Sequence, residues 1–145
     1  MKKLIVLSLA VFAVSATLLS NTPKTNEKNQ GIQFEKGSWH EVLELAQKEN
    51  KPIFLDIYAS WCGPCKKIKA NTFPNADVGA YFNEHFISYA LDAEKGEGIM
   101  LARKYKVSGY PTLLFIDGKG KVIARTMGYH NAEELLDVGR QIIER

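Results

Sequence analysis

The residues most able to do chemistry are Cys62 and Cys65, which are the only cysteines and lie in the hexapeptide that spans residues 61–66. They follow the apolar run 53–59, which predicts a buried strand, so a helix should begin at the cysteines. Thiols at this spacing can close a small disulfide ring, and we expect the sulfur of Cys62 to remain exposed at the helix end. Free backbone N–H groups and the helix dipole would lower its thiol pKa there and make the thiolate a nucleophile toward disulfides. The pattern therefore predicts thiol–disulfide exchange, with Cys62 attacking and Cys65 resolving the mixed disulfide.

Two other uses of a Cys-x-x-Cys pair stay open. A zinc site usually has four ligands, but the chain has no third cysteine and His40, His85 and His130 stand singly, without identifiable partners. A purely structural disulfide is the second alternative, although closing so short a ring removes little entropy from the unfolded chain. We therefore expect neither a metal nor a cofactor.

The two residues between the cysteines carry no charge. Gly63 is expected to let the backbone turn tightly at the helix entry, and Pro64 fixes φ in the first turn, where its missing N–H costs nothing. A positive side chain between the cysteines would stabilise the thiolate and favour an oxidant. The Gly-Pro pair therefore favours a reductant.

Two separated segments resemble the thioredoxin family. Residues 51–66 are similar to its central strand and active-site helix start, and residues 105–115 are similar to its segment with a cis-proline. The resemblance runs from Trp39 to Ile143 and implies an α/β fold, with a central mixed sheet flanked by helices on both faces. Looser patterns at residues 72–82 and 96–98 resemble extracytoplasmic members, such as the C-terminal domain of the membrane reductant conductor DsbD.

The resemblance also implies a role for Asp56, whose apolar neighbours predict burial. The matching aspartate of the family relays protons to and from the resolving cysteine, here Cys65. The family often places a lysine across from this aspartate, but this chain has Ser88 near that place and no lysine in residues 86–91. The carboxyl pKa of Asp56 should therefore not be taken from the family.

A substrate-binding surface follows from the same resemblance. Pro111 is expected to be cis and to pack against the cysteines, while the backbone before it pairs with a bound polypeptide. Trp61 should form one wall of the site, and Tyr58 either lies beneath it or simply packs in the core. The residues expected to contact substrate are Trp61, Gly63, Pro64, Gly109, Tyr110 and Pro111.

The first twenty residues predict a secretory signal peptide, with a basic start and an apolar run from Leu4 to Leu19. We expect cleavage after Ala16 or Ser20. An uncleaved membrane anchor is the alternative, although this run is shorter than the roughly 20 residues that span a bilayer. Residues 21–31 then form a flexible leader and residues 32–145 the thioredoxin-like domain, which we expect to be exported, most simply to a periplasm.

The net charge of the chain argues against two classes of binding partner. Cleavage after Ala16 removes Lys2 and Lys3, which leaves 17 basic and 16 acidic residues and no basic stripe. This balance is not that of a protein that binds nucleic acid or an anionic membrane surface. We expect a monomer that acts on protein disulfides and receives electrons from a membrane-embedded donor.

Hydrophobic periodicity predicts the elements that must hold the dithiol. A capping box at Ser38 and Glu41 starts a helix that reaches Glu49, and a similar pair, Asn131 and Glu134, starts the last helix. Further helices are predicted over 62–72, 78–83 and 99–105, and strands over 53–58, 86–91, 111–116 and 121–126. The apolar side of the last helix is expected to carry Leu135, Val138, Ile142 and Ile143.

The sequence thus favours an exported thiol:disulfide oxidoreductase that reduces protein disulfides. A disulfide oxidase or isomerase would use the same residues with the opposite redox preference. A third alternative is a binding module that uses an apolar groove around Tyr110 without turnover.

Overall fold

The computed structural model describes residues 31–145. The predicted signal peptide and nearly all of the predicted leader lie outside these described residues. Within residues 31–145, no helix combines the length and the apolar character needed to cross a bilayer.

Four strands form one mixed sheet. They are β1 (Ile53–Tyr58), β2 (Ile87–Asp92), β3 (Thr112–Ile116) and β4 (Val122–Met127), in the order β2-β1-β3-β4. β1 pairs in parallel with β2 and antiparallel with β3, and β3 and β4 form the predicted antiparallel hairpin. The described helices are α1 (Trp39–Glu49), α2 (Gly63–Asn71), α3 (Ala76–His85), α4 (Glu97–Lys104) and α5 (Ala132–Ile143).

Helices cover both faces of the sheet, as predicted, because side chains alternate along the buried strand β1. Ile53, Leu55 and Ile57 pack in one cluster with α1 and α4. Phe54 packs on the other face in a second cluster with α2, α3 and α5. The alternation places Asp56 on this second face, among apolar side chains, where an ionised carboxyl group is costly to bury.

The predicted starts of α1 and α5 are confirmed. Ser38 and Glu41 form the capping box of α1, and Asn131 and Glu134 form that of α5. The prediction that Ile143 lies on the buried apolar side of the last helix is wrong. Ile143 is the last residue of α5, and its relative solvent exposure is 38%.

Two helices begin earlier than predicted. The side chain of Asn75 accepts hydrogen bonds from the N–H groups of Asp77 and Val78, so α3 starts at Ala76. α4 starts at Glu97, and a Cβ on its second residue, Gly98, would lie 1.9 Å from the carbonyl oxygen of Asp92. Only glycine allows α4 to pack this closely against the end of β2.

The chain before α1 covers the outer edge of β2. Phe34 forms a parallel bridge with Ser88, and the N–H of Glu35 donates to the Ser88 carbonyl at 2.8 Å. Ile32 donates its N–H to the carbonyl of Phe73 at 2.8 Å. This segment therefore protects an otherwise open sheet edge.

Candidate active site

The two cysteines form a disulfide at the N-terminus of α2, with their Cα atoms 5.3 Å apart. Cys62 is the N-cap residue, and its Sγ accepts a hydrogen bond from the backbone N–H of Cys65 at 3.1 Å. Pro64 lies in the first helical turn, where no backbone donor is lost. A donor directed at Sγ and the positive end of the helix dipole both favour a thiolate on Cys62 after reduction.

Both cysteines are buried in this disulfide-bonded form. Cys62 is 3% exposed and Cys65 is 5% exposed, so the expectation of an exposed first sulfur is wrong here. The cysteines pack in a small cluster with Ala59, and the partly buried rings of Tyr58 and Tyr110 lie against it. The helix start predicts the N–H donors from local sequence, but the contact with Tyr110 comes from a distant loop.

Gly63 does not have the conformational role expected of it. A Cβ at this position would meet no atom within 4 Å, and its φ is outside the left-handed region. Both Gly63 and Pro64 are exposed beside the disulfide. Their common property is a small, uncharged surface next to Cys62.

The loop before β3 contains the expected cis peptide bond, between Tyr110 and Pro111. Pro111 is buried, and its carbonyl accepts a hydrogen bond from the N–H of Gly128 at 2.8 Å. The Thr112 hydroxyl donates to the Gly109 carbonyl at 2.7 Å. Within residues 31–145, the backbone N–H and C=O of Tyr110 have no hydrogen-bond partner. An extended polypeptide could pair with them as an added strand.

Trp61 is the most exposed aromatic residue beside the disulfide, at 65%. Its ring meets Tyr110 edge to face at a centroid distance of 5.9 Å, and its Nε1 donates to Glu94 Oε1 at 3.0 Å. The aromatic partner of Trp61 is therefore Tyr110, whereas Tyr58 packs against the cysteine cluster. Trp61 and Tyr110 together form an apolar wall.

Asp56 is 4% exposed, and its Oδ1 has no hydrogen-bond partner among the described residues. Burial raises the pKa of its carboxyl group to about 7, an effect partly opposed by the positive charge of Lys69. In the sheet register Asp56 lies beside Ala90, and Ser88 lies beside Phe54. The nearby cation thus comes from α2 and not from the neighbouring strand.

Asp56 lines two cavities. One, of about 310 Å³, is also lined by Cys65, Lys66 and Lys69. The other, of about 450 Å³, is mostly apolar and is lined by Phe34 and Phe73 as well as by Asp56 and Lys69. Asp56 thus shares one cavity with the resolving cysteine and also lines a mostly apolar one.

Several residues near the site were not predicted from the sequence. Glu94 and Lys69 act through contacts that appear only after folding. The Sδ of Met127, which is 57% exposed, lies 2.9 Å from the position that a Cβ on Gly109 would take. Alternation along β4 could have placed Met127 outward, but not next to the loop of the cis-proline.

All three histidines have partners, contrary to expectation: His40 lies 3.3 Å from Glu44, and the His85 ring lies 4.3 Å from that of Tyr81. The third, His130, lies near the cis-proline loop. His130 Nε2 lies 2.9 Å from the Thr126 hydroxyl and Nδ1 lies 3.1 Å from the Gly128 carbonyl. It therefore orders the turn whose Gly128 N–H holds the carbonyl of Pro111. In the part of the chain that the structure describes, no three metal-binding side chains converge.

The arrangement is a helix-start disulfide facing a cis-proline loop, and residues 39–143 match the family model of a thioredoxin-like domain. The chain belongs to the thioredoxin-like family. This assignment confirms the predicted fold, and with the Cys62–Cys65 disulfide it supports thiol:disulfide oxidoreductase chemistry.

Known relatives connect this thioredoxin-like chain to disulfide exchange. It is 37% identical over 95 residues, or 63% of its length, to the thiol:disulfide interchange protein DsbD of Yersinia pestis. The match covers 16% of DsbD, so the chain corresponds to about a sixth of that protein.

Two solved structures are also similar. A Bacteroides thetaiotaomicron protein provisionally named a disulphide-isomerase matches with a TM-score of 0.70 and 43% identity, over 79% of this chain and 95% of the other. The oxidised C-terminal domain of DsbD from Neisseria meningitidis matches with a TM-score of 0.61 and 25% identity, over 76% of this chain and 97% of the other. The predicted resemblance to this DsbD domain is thereby confirmed.

Proposed function

We propose that the chain is an exported thiol:disulfide oxidoreductase that reduces protein disulfides. The observation that carries this proposal is the Cys62–Cys65 disulfide at the start of α2, closed around two uncharged residues. With Gly63 and Pro64 between the cysteines, the thiolate of Cys62 is stabilised by the helix start alone. A thiolate stabilised less strongly favours the oxidised state of the pair, which is the preference of a reductant.

The reaction transfers two electrons from the dithiol to the substrate. The Cys62 thiolate attacks one sulfur of a substrate disulfide, forms a mixed disulfide and releases the first substrate thiolate. The thiol of Cys65 then loses its proton, attacks Cys62 Sγ and releases the second substrate thiolate. Asp56 lines the same cavity as Cys65 and is the proposed acceptor of that proton. The substrate ends as a dithiol and the enzyme ends in the disulfide form.

Substrate would bind across the face formed by the wall of Trp61 and Tyr110. The free backbone N–H and C=O of Tyr110 can pair with an extended segment that flanks the substrate cysteine. Met127 and the uncharged surface of Gly63 and Pro64 extend this face. Recognition through backbone bonds and apolar contact suits many sequences, so we expect protein substrates rather than one small molecule.

Turnover requires a second reaction that reduces the Cys62–Cys65 disulfide. In an oxidising compartment the electrons must come from another dithiol, and we propose a membrane-embedded protein as their source. The similarity to part of DsbD supports this choice of partner. The apolar N-terminal run of residues 4–19 supports export.

The second candidate function is disulfide oxidation, in which electrons pass from the substrate to the Cys62–Cys65 pair, or disulfide isomerisation, which involves no net electron transfer. The name of the Bacteroides thetaiotaomicron protein favours disulfide isomerisation, which uses the same pair of cysteines. The reduction potential of the Cys62–Cys65 pair distinguishes a reductant from an oxidase. We expect a value near about −270 mV, as in reducing thioredoxins, whereas a value near about −120 mV would indicate an oxidase.

Trapping tests the catalytic cycle directly. A Cys65→Ser variant keeps the nucleophile but lacks the resolving thiol, so it should accumulate mixed disulfides with substrates and with the electron donor. Cys62→Ala is the matched control and should trap nothing. If Cys62→Ala instead retains both partner binding and the cellular phenotype, the chain is a binding module and the proposal is wrong.

A further inference from the structure

Lys69 lies on the same face of α2 as the resolving cysteine. It follows Cys65 by one helical turn, at the i,i+4 spacing that places two side chains above one another. Its ammonium group lies 5.9 Å from the ring centroid of Tyr58, which packs against the cysteine cluster. Lys69 is thus directed toward the end of β1, although it is itself exposed.

Lys69 and Asp56 line both cavities described above. Asp56 is buried, with a carboxyl oxygen that lacks a partner among the described residues, whereas Lys69 is exposed. One buried acid and one exposed base therefore line the same cavity as the resolving cysteine.

The other charged groups around Asp56 are less able to act on it. Lys95 is paired with Asp92 at 3.2 Å, and both line only the cavity next to Cys65. Lys66 also lines only that cavity. Residues 31–34 contribute no charged side chain to the second cavity. Of the lysines that line these two cavities, only Lys69 lines both together with Asp56.

We propose that Lys69 is a positioning residue that sets the proton affinity of Asp56 and, through it, the pH range in which Cys65 resolves the mixed disulfide. This inference rests on the proposed function, in which Asp56 takes the proton of the Cys65 thiol. It assigns the role to a side chain of α2, in a chain that lacks a lysine in residues 86–91.

The direction of the effect follows from the charges. Burial favours the neutral carboxyl group, whereas a positive charge nearby favours the carboxylate. Lys69 therefore keeps a useful fraction of Asp56 ionised near neutral pH. The carboxylate accepts the Cys65 proton, the new thiolate attacks Cys62 Sγ, and the bond from Cys62 to the substrate breaks. Without Lys69 the carboxyl group holds its own proton to higher pH, and resolution is delayed to higher pH.

The test measures the titration of the Asp56 carboxyl carbon by NMR in the oxidised protein. Lys69→Met should move its midpoint upward by about 0.5–1 pH unit, a modest shift because solvent screens an exposed ammonium group. Lys69→Arg should restore the wild-type midpoint. Lys67→Met is the matched control, since it removes the same charge from α2 but at a lysine that lies over the ring of Tyr129, 4.2 Å from its centroid.

A second readout follows release of substrate from a preformed mixed disulfide on Cys62 as pH is varied. Lys69→Met should shift this pH profile in the same direction as the carboxyl titration, while Lys67→Met should leave it in place. The inference is overturned if Lys69→Met changes neither midpoint, or if Lys67→Met changes both equally. A wild-type protein that fails to reduce any disulfide would instead overturn the proposed function, and the carboxyl titration would still decide whether Lys69 controls Asp56.

Discussion

The indole N–H of Trp61 donates to Glu94 Oε1 across 3.0 Å and so ties the exposed ring beside the disulfide to the loop after β2. That loop is itself held in place. Asp92 Oδ1 accepts the N–H of Glu94 at 3.0 Å, and its carboxylate pairs with Lys95 at 3.2 Å. The position of the Trp61 wall is therefore determined by residues more than thirty positions away.

Removing this bond should loosen the wall. In Glu94→Ala we expect the indole N–H signal of Trp61 to move and to exchange faster with solvent, because its acceptor is lost. We also expect a several-fold rise in KM for a protein disulfide substrate, with little change in stability. Glu94→Gln keeps an acceptor oxygen and should resemble the wild type. Equal indole exchange in Glu94→Ala and the wild type would contradict this assignment.

Asp56 should make the oxidised protein less stable as pH rises. Its folded-state pKa of about 7 lies above the ordinary value of 3.8, so the folded state binds the proton more tightly than the unfolded state. The free energy of unfolding should therefore fall between about pH 4 and pH 7 and level off above that. Asp56→Asn removes the titration, and its stability relative to wild type should rise by up to about 4 kcal/mol between pH 4 and pH 8.

Denaturant unfolding of the oxidised proteins at the two pH values measures this difference. Changes that affect both proteins equally, such as titration of surface acids, cancel in the comparison. A difference for Asp56→Asn that stays constant from pH 4 to pH 8 would mean that the carboxyl group titrates normally.

Sequence features that act over a few residues predicted most of the helices and strands of this fold. The capping boxes at Ser38 and Asn131 act within four residues, so the starts of α1 and α5 follow from sequence. The strand before the cysteines is apolar at nearly every position because helices cover both faces of the sheet. Cys-x-x-Cys at the end of such a strand then predicted where the dithiol would lie.

Long-range contacts account for what the sequence could not predict. The burial of Cys62 depends on Tyr110, which belongs to another loop, and the partners of His130 depend on the turn after β4. The resemblance offered a lysine only on the neighbouring strand, where this chain has none, and nothing in the sequence indicated that Lys69 of α2 would lie near Asp56. In each case the sequence shows the residue types, but only the structure shows which of them lie close together.

Two glycines should respond oppositely to alanine. Gly63→Ala places a methyl group in open space and restricts the unfolded chain, so we expect a gain of about 0.4–1 kcal/mol. Gly98→Ala would place its Cβ 1.9 Å from the Asp92 carbonyl, which forces α4 away from β2. We expect a loss of about 1–3 kcal/mol. Chemical denaturation of the oxidised proteins measures both, and a destabilised Gly63→Ala would show that the open position is needed after all.

A hydrogen bond connects the side chain of Thr72 to the backbone of His130. The Thr72 hydroxyl is fully buried and donates to the His130 carbonyl at 2.6 Å, which joins the end of α2 to the turn before α5. Thr72→Val keeps the shape but leaves that carbonyl without its donor, so we expect a loss of about 1–3 kcal/mol in the free energy of unfolding. Thr72→Ser retains the hydroxyl and loses only a methyl group, so its loss should be smaller. Since the same turn supplies the Gly128 N–H to Pro111, Thr72→Val should also perturb the NMR signals of the cis-proline loop, whereas Thr72→Ser should not. Equal losses in the two variants would assign the effect to packing rather than to the hydrogen bond.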